Sequence, residues 1–340
     1  MNTLTKTPTL LLIAIFQFFI ISPVLAEQGD ELKAGIAPTA PSFKSWLEAF
    51  RQEAVIKGIS TETLDKTIPF IKEPIKKIIK FDRNQPEFKL TFDQYLNRVA
   101  PNYRVKRGQK MLKKHKKLLT DIENKYGVQG RFLVAFWAME TDFGRLTGGF
   151  NVLDALATLA YDGRRAKYFR RELMNALIII DAGHVDPKKM TGSWAGAMGQ
   201  TQFMPSTFLS YATDFDGDGK INIWKSTADA LASGANYLSS IGWNNKQTWG
   251  REVTLPKGVD KDLLDLKVKK KIADWQALGV RRITGKNLPL VDIDASVIQL
   301  DDKTGRAYMV YGNYHAIMDW NRSKNFATAI GILADRIGKR

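Results

Sequence analysis

Three segments of this 340-residue chain hold residue types whose spacing could do chemistry. The first is Phe136-Trp137-Ala138-Met139-Glu140-Thr141-Asp142-Phe143-Gly144. The eight apolar residues from Phe132 to Met139 describe a helix buried on all sides. Glu140 is the first ionisable group after that run, and Gly144 suits a helix end. Glu140 is therefore expected in the last helical turn. Burial disfavours its carboxylate, and so does the negative end of the helix dipole. Both would raise its pKa, as a general acid at neutral pH requires. On this segment alone, a Glu that simply leaves the core at a helix end is the simpler reading.

The second segment runs from Gly192 to Pro205, Gly-Ser-Trp-Ala-Gly-Ala-Met-Gly-Gln-Thr-Gln-Phe-Met-Pro. Glycine lets a backbone approach a ligand closely, and Gln side chains both donate to and accept from hydroxyls. The plain alternative is a turn before a helix at Ser206. The third segment is Asp214-Phe215-Asp216-Gly217-Asp218-Gly219-Lys220-Ile221-Asn222. Asp at positions 1, 3 and 5, Gly at 6 and Asn at 9 fit the calcium loop of an EF-hand, with the Lys220 carbonyl at 7. Position 12 is Lys225, where that loop wants a bidentate carboxylate. Asp229 lies four residues further on and could serve a longer loop. The alternative is an acidic turn without metal.

These segments need elements to hold them. Phe43, Trp46, Leu47 and Phe50 have helical spacing, as do Leu90, Phe92, Tyr95 and Leu96. Pro69, Pro74, Pro86 and Pro101 punctuate this N-terminal helical region, residues 42–130. Residues 131–245 hold the three segments with further helical patterns over Asp154–Leu159, Phe169–Ile180 and Thr227–Ile241. Residues 246–310 read as a small β insertion: Glu252–Leu255 and Val291–Leu300 alternate like strands, with a turn at Asp302-Lys303-Thr304-Gly305. Residues 311–340 close the chain and end in a helix over Ala327–Ile337. The fold class is mainly α (α+β).

At the N-terminus Lys6 precedes an apolar run from Leu10 to Ile21, then Ser22-Pro23-Val24-Leu25-Ala26. This reads as a secretory signal over residues 1–26, cut before Glu27 and followed by a Gly/Ala/Pro/Thr linker over 27–41. As a membrane anchor the run is short, and Pro23 interrupts it. The formal charge is +16, and losing residues 1–26 with their one Lys leaves +15. A basic surface favours an anionic partner without choosing it. The densest run, Lys110, Lys113, Lys114, Lys116 and Lys117, reads as a solvated helix face. No zinc-finger spacing or RNA-binding aromatic motif supports nucleic acid. The chain has no Cys, which excludes disulfides, thiolate metal sites, a Cys nucleophile and a lipid anchor on an N-terminal Cys.

Taken together, the Glu140 segment, the Gly192–Pro205 loop, the Asp214–Asn222 loop and Asn236-Tyr237-Leu238 resemble the lytic murein transglycosylase B family. The likeness runs in order from Asp82-Arg83-Asn84-Gln85-Pro86-Glu87-Phe88 to a closing segment over Tyr311–Asn325. The resemblance implies a lysozyme-like α core with flanking α and β parts. It implies Glu140 as catalytic acid/base, and Tyr95, Ser193, Gln202, Phe203, Tyr237 and Asn321 as lining a saccharide cleft. It implies a structural Ca2+ in an elongated EF-hand formed by Asp214, Asp216, Asp218 and Lys220, with Asp229 closing it. Gln200 and Thr201 depart from the Tyr and Gly of some relatives. The implied partner is the glycan strand of peptidoglycan, in the periplasm, with membrane association and other wall-remodelling proteins left open and no nucleic acid.

Two rivals stand beside this reading. A hydrolytic muramidase would pair Glu140 with a second carboxylate, for which Asp142, Asp154 and Asp162 are candidates. A non-catalytic, calcium-containing wall-binding protein would be expected to lack the acid.

Overall fold

The computed structural model describes residues 41–84, 90–300 and 305–339. The expected signal over 1–26, nearly all of the 27–41 linker, Gln85–Phe88 and the turn residues Asp302–Thr304 lie outside the described residues.

Six helices lead into the centre of the molecule: α1 (Phe43–Ile56), α2 (Thr61–Thr67), α3 (Lys76–Arg83), α4 (Phe92–Val99), α5 (Asn102–Lys114) and α6 (Lys116–Tyr126). Their starts follow ordinary capping chemistry. The side chain of Ser42 accepts the N–H of Ser45, and Ser60 that of Thr63. Thr91 and Gln94 form a reciprocal capping box, so α4 starts at Phe92 and Leu90 stays outside it. Gly127, at φ 71°, stops α6.

Helix α7 (Gly130–Thr141) is the core helix that the apolar run predicts. Every residue from Phe132 to Thr141 is buried. It is packed by α5, α6, α11 (Thr227–Ser240) and α14 (Lys324–Gly338). Burying each large side chain here stabilises by about 1.5–3 kcal/mol, which fixes the helix axially and in rotation. A second layer follows: β1 (Phe150–Asn151), α8 (Val152–Asp162), α9 (Ala166–Asp181), β2 (Thr191–Gly192) and α10 (Pro205–Tyr211). β1 and β2 pair antiparallel, so the start of the Gly-rich loop is tied to the start of α8.

The β part holds β3 (Gly250–Thr254), β4 (Lys270–Lys271), β5 (Arg281–Arg282), β6 (Asp294–Gln299) and β7 (Ala307–Val310), with α12 (Ile272–Ala277). The strands form an antiparallel sheet in the order β4-β6-β7-β3-β5. Its alternation serves two cores. Val297 and Met309 face a small core with Ile272, Trp275 and Val280. Ile298, Tyr308 and Val310 face the main helical core. The alternating run predicted from Val291 is strand only from Asp294. The short strands β4 and β5, and α12, carry too few residues to show a period in sequence.

The sheet feeds α13 (Gly312–Trp320) and then α14 back onto α7. Gly331 allows the close approach there: a Cβ would sit 2.1 Å from the ring of Trp249. Arg306 joins the sheet to α4, with Nη1 2.7 Å from Asp93 and Nε 2.9 Å from Glu252. Among the described residues no helix is long and apolar enough to cross a membrane.

Candidate active site

Glu140 sits in the last turn of α7, as expected from the sequence, and is 5% exposed. The helix does not run on to Gly144. It stops at Thr141, and Asp142 (φ 48°), Phe143 (φ 63°) and Gly144 (φ 77°) all take left-handed backbone. Two of these are not glycine, and each such residue costs about 1–3 kcal/mol unless its surroundings hold it. Here they do. The hydroxyl of Thr141 accepts the N–H of Gly144 and donates to the Gln200 carbonyl at 2.7 Å.

The carboxyl of Glu140 accepts the indole N–H of Trp320 at 2.8 Å, Nε1 to Oε1. Trp320 ends α13, 180 residues further along the chain. Its ring lies 4.5 Å from Phe136, 5.5 Å from Phe203 and 5.2 Å from Tyr237, centroid to centroid. Phe203 and Tyr237 also touch, at 6.1 Å. These edge and tilted contacts fix the indole plane, and with it the donor aimed at Glu140. Sequence reasoning missed Trp320. The only signal was its place beside Asn321 in the closing segment.

The Gly-rich loop reaches the same group. Met198 pairs with both Gly192 and Phe203, which folds the loop back on itself. The Ser193 hydroxyl accepts the N–H groups of Ala195 (3.3 Å) and Ala197 (3.1 Å), so its bonds found here shape the loop. Gln202 has φ 52° and donates from its amide to Thr147 and Gly199 carbonyls. Gln200 accepts the Trp137 indole at 3.0 Å, tying the loop to α7. Asn321 caps α13 and accepts the N–H of Ser323. Tyr237 is half-buried and donates to the Asp319 carbonyl at 3.0 Å. Burial, then Asp319 and Tyr211, push its phenol up to about 12, so it stays a neutral donor. Thus Glu140, Phe203 and Tyr237 converge around Trp320, with Gln202 and Asn321 next to members of the group. Tyr95 comes from elsewhere, on α4, and is 8% exposed.

The rival carboxylates are placed differently. Asp142 is 4% exposed and lies among three guanidiniums: Arg145 (Nε 2.8 Å), Arg107 (3.5 Å) and Arg104 (3.6 Å). Asp162 pairs with Arg83 at 2.8 Å. Burial raises the pKa of Asp154, in the first turn of α8.

In the acidic loop, carboxylate oxygens of Asp214, Asp216 and Asp229 lie within 4.8 Å of one another. Asp229 is fully buried and accepts the N–H groups of Phe215 (2.9 Å) and Asn222 (2.8 Å), so it closes the loop from inside α11. Asp214 accepts from Gly217 and Gly219. An all-oxygen donor set suits a hard cation such as Ca2+. Asp218 stands outside this group of three, its carboxylate accepting the Lys220 N–H at 2.8 Å.

The mainly α fold with its small antiparallel sheet defines a lysozyme-like class of protein. The chain belongs to the Transglycosylase SLT domain family, whose model matches residues 42–335. It is 38% identical over 221 residues to the membrane-bound lytic murein transglycosylase B of Escherichia coli (strain K12). That match spans 62% of this chain and 58% of the relative, so less than two thirds of the relative's length is covered. SltB3 from Pseudomonas aeruginosa, solved with NAG-NAM-pentapeptide, superposes with a TM-score of 0.85 at 43% identity, over 88% of this chain and 80% of that one. The Escherichia coli lytic transglycosylase Slt35 in complex with calcium gives 0.73 at 30% identity, over 86% and 92%.

Proposed function

We propose that this protein is a lytic transglycosylase. It cleaves the β-1,4 bond between N-acetylmuramic acid and N-acetylglucosamine in peptidoglycan and leaves a 1,6-anhydro ring on the muramic residue. The observation that carries the reading is the buried Glu140 carboxyl, held by the Trp320 indole while its neighbour Asp142 is committed to arginines.

Glu140 protonates the bridging oxygen as the bond to carbon one breaks. The hydroxyl on carbon six of the same sugar then bonds to carbon one and passes its proton to Glu140. The acid is regenerated and no water is consumed. The tethered hydroxyl needs only orientation, an advantage that replaces the second carboxylate of a hydrolase. A muramidase would need that second group as a charged base or nucleophile. Asp142 and Asp162 are ion-paired, and burial works against the charged form of Asp154.

In this reading the half-exposed Tyr237 meets the glycan, backed by Phe203, and Tyr95 contributes from α4. Ser193, Gln202 and Asn321 act mainly by shaping the cleft wall. NAG-NAM-pentapeptide in the SltB3 structure supports this substrate class. Ca2+ would be held by Asp214, Asp216 and Asp229, with Asp218 and the Lys220 carbonyl completing the site, and would supply structural cross-linking rather than chemistry. The Slt35 complex with calcium supports that assignment. Residues 1–26 direct export to the periplasm. There a helical region (42–130) and a β part (246–310) flank the catalytic core (131–245), and residues 311–340 close it.

Digesting purified sacculi tests the reading. Released muropeptides whose mass is unchanged by borohydride carry anhydro ends and support it. Products that gain two hydrogens carry reducing ends, which would assign a muramidase.

A further inference from the structure

We propose that the exposed lysine stripe of α5 and the start of α6 is a second contact with the sacculus, binding carboxylates of its peptides while a glycan strand lies at Glu140. The proposal rests on the transglycosylase reading above and adds where the anionic part of the substrate is held.

α5 carries Arg104, Lys106, Arg107, Lys110, Lys113 and Lys114 and no acidic residue. Arg104 is buried with Val105 and Gly108. Lys106, Lys110, Lys113 and Lys114 recur at helical spacing on the opposite face, and all of them are exposed. Lys116 and Lys117, also exposed, follow at the start of α6. Among the described residues only Lys117 of this stripe has a carboxylate in ion-pair contact, Asp121 at 2.7 Å.

This arrangement works against the helices that carry it. Lys106 and Lys110, and again Lys110 and Lys114, stand four residues apart, where like charges destabilise a helix. Lys116 and Lys117 occupy the first turn of α6, at the positive end of its dipole, with no acidic residue there and no side-chain cap. His115, between the two helices, is pushed below its usual pKa by burial and by Lys114. A face that only needs solvation can mix both signs of charge. One sign, set against the electrostatics of its own helices, points to an anion outside the molecule.

A lipid bilayer and the peptidoglycan itself both present many anions. Apart from Tyr103, α5 and α6 expose no large apolar side chain that could enter lipid. The stripe also starts near the proposed acid. Arg107, between Lys106 and Lys110, lies 3.5 Å from Asp142, two residues after Glu140. From there Lys106 to Lys114 runs about 12 Å along the helix. A stem peptide ends in a carboxylate, and a cross-linked wall surrounds any one strand with many of them. Holding these carboxylates raises the local concentration of glycan at Glu140 with no new contact in the cleft.

The test compares the unaltered chain with a variant carrying Lys110→Gln, Lys113→Gln, Lys114→Gln and Lys116→Gln. Gln is close to Lys in helix propensity, so the fold persists. At low salt the apparent KM for sacculi should rise about tenfold, each exposed contact contributing about twofold, with kcat within about twofold. The gap should close at about 1 M salt, where the screening length is about 3 Å. It should also vanish on sacculi whose carboxylates have been converted to methylamides with carbodiimide and methylamine. The melting temperature should hold or rise, because repulsion is relieved. Lys113→Glu alone should raise KM about threefold, which keeps the test open if the multiple variant does not fold. Equal KM values at low salt, or a gap that persists on amidated sacculi, would overturn the proposal. So would loss of sedimentation with phosphatidylglycerol vesicles at unchanged KM, which would assign the stripe to lipid. Cosedimentation of Glu140→Gln chains with sacculi, with and without the lysine substitutions, reads the affinity without turnover. An affinity gap there, beside reducing-end products from the unaltered enzyme, would sink the transglycosylase reading and leave the stripe standing.

Discussion

Two places in this molecule concentrate aspartate, and they handle its charge in opposite ways. After α7, one buried Asp142 is surrounded by Arg104, Arg107 and Arg145. In the 214–229 loop, Asp214, Asp216 and Asp229 crowd within 4.8 Å of one another, and none of them forms an ion pair among the described residues. Backbone N–H groups and the Ser226 hydroxyl, 2.6 Å from Asp216, are their partners. The first arrangement sets cations of the protein itself around the acid and holds the turn after α7. The second leaves like charges repelling, which a divalent cation would relieve. Chemistry and loop stability should therefore fail separately when each place is disturbed.

The largest effect is expected at Glu140, the proposed acid just before that turn. Glu140→Gln keeps the shape and an oxygen for the Trp320 indole but loses the proton. Turnover of sacculi should fall by about 10²–10⁴-fold or more, with the melting temperature little changed. A variant that digests at near-normal rate would break the assignment of Glu140.

The acidic loop should respond in the other currency. With calcium at about 100 times its Kd, the folded state gains about 2.7 kcal/mol, which raises Tm by about 5 °C over a chelator control. Asp229→Asn should abolish the calcium-dependent rise, and the products formed should stay the same. Identical melting curves with calcium and with chelator would remove the metal from the account.

A smaller effect sharpens the comparison. Trp320→Phe retains the ring contacts but not the N–H. Losing one hydrogen bond to the acid should slow turnover about tenfold with little change in Tm. A large fall in Tm with unchanged turnover per folded enzyme would show that Trp320 only packs.

What could be read in sequence was local. The Phe132–Met139 run ending in Glu140 marks a core helix with an acid at its end, and alternating Asp with Gly marks the acidic loop. Asp229 was within reach because it lies only seven residues beyond Asn222. Long-range partners left no such trace. Trp320 meets Glu140 across 180 residues, and Arg104 and Arg107 meet Asp142 across more than thirty. The left-handed run at Asp142 and Phe143 was hidden because Gly144 offered the obvious stop. In the β part, β6 and β7 alternate between two cores, but β4 and β5 are two residues each and exist only through their neighbours. The loop-turning role of the Ser193 hydroxyl left no trace in sequence either, because it depends on the fold of the loop back to Ala195 and Ala197.

The central claim is that one acid, Glu140, directs the substrate's own hydroxyl instead of water. It is tested most directly by digesting sacculi in water enriched in heavy oxygen and weighing the muropeptides. The account predicts anhydro-muropeptides without incorporated label as the main product. Labelled reducing ends as the main product would show that water is the nucleophile and would contradict it.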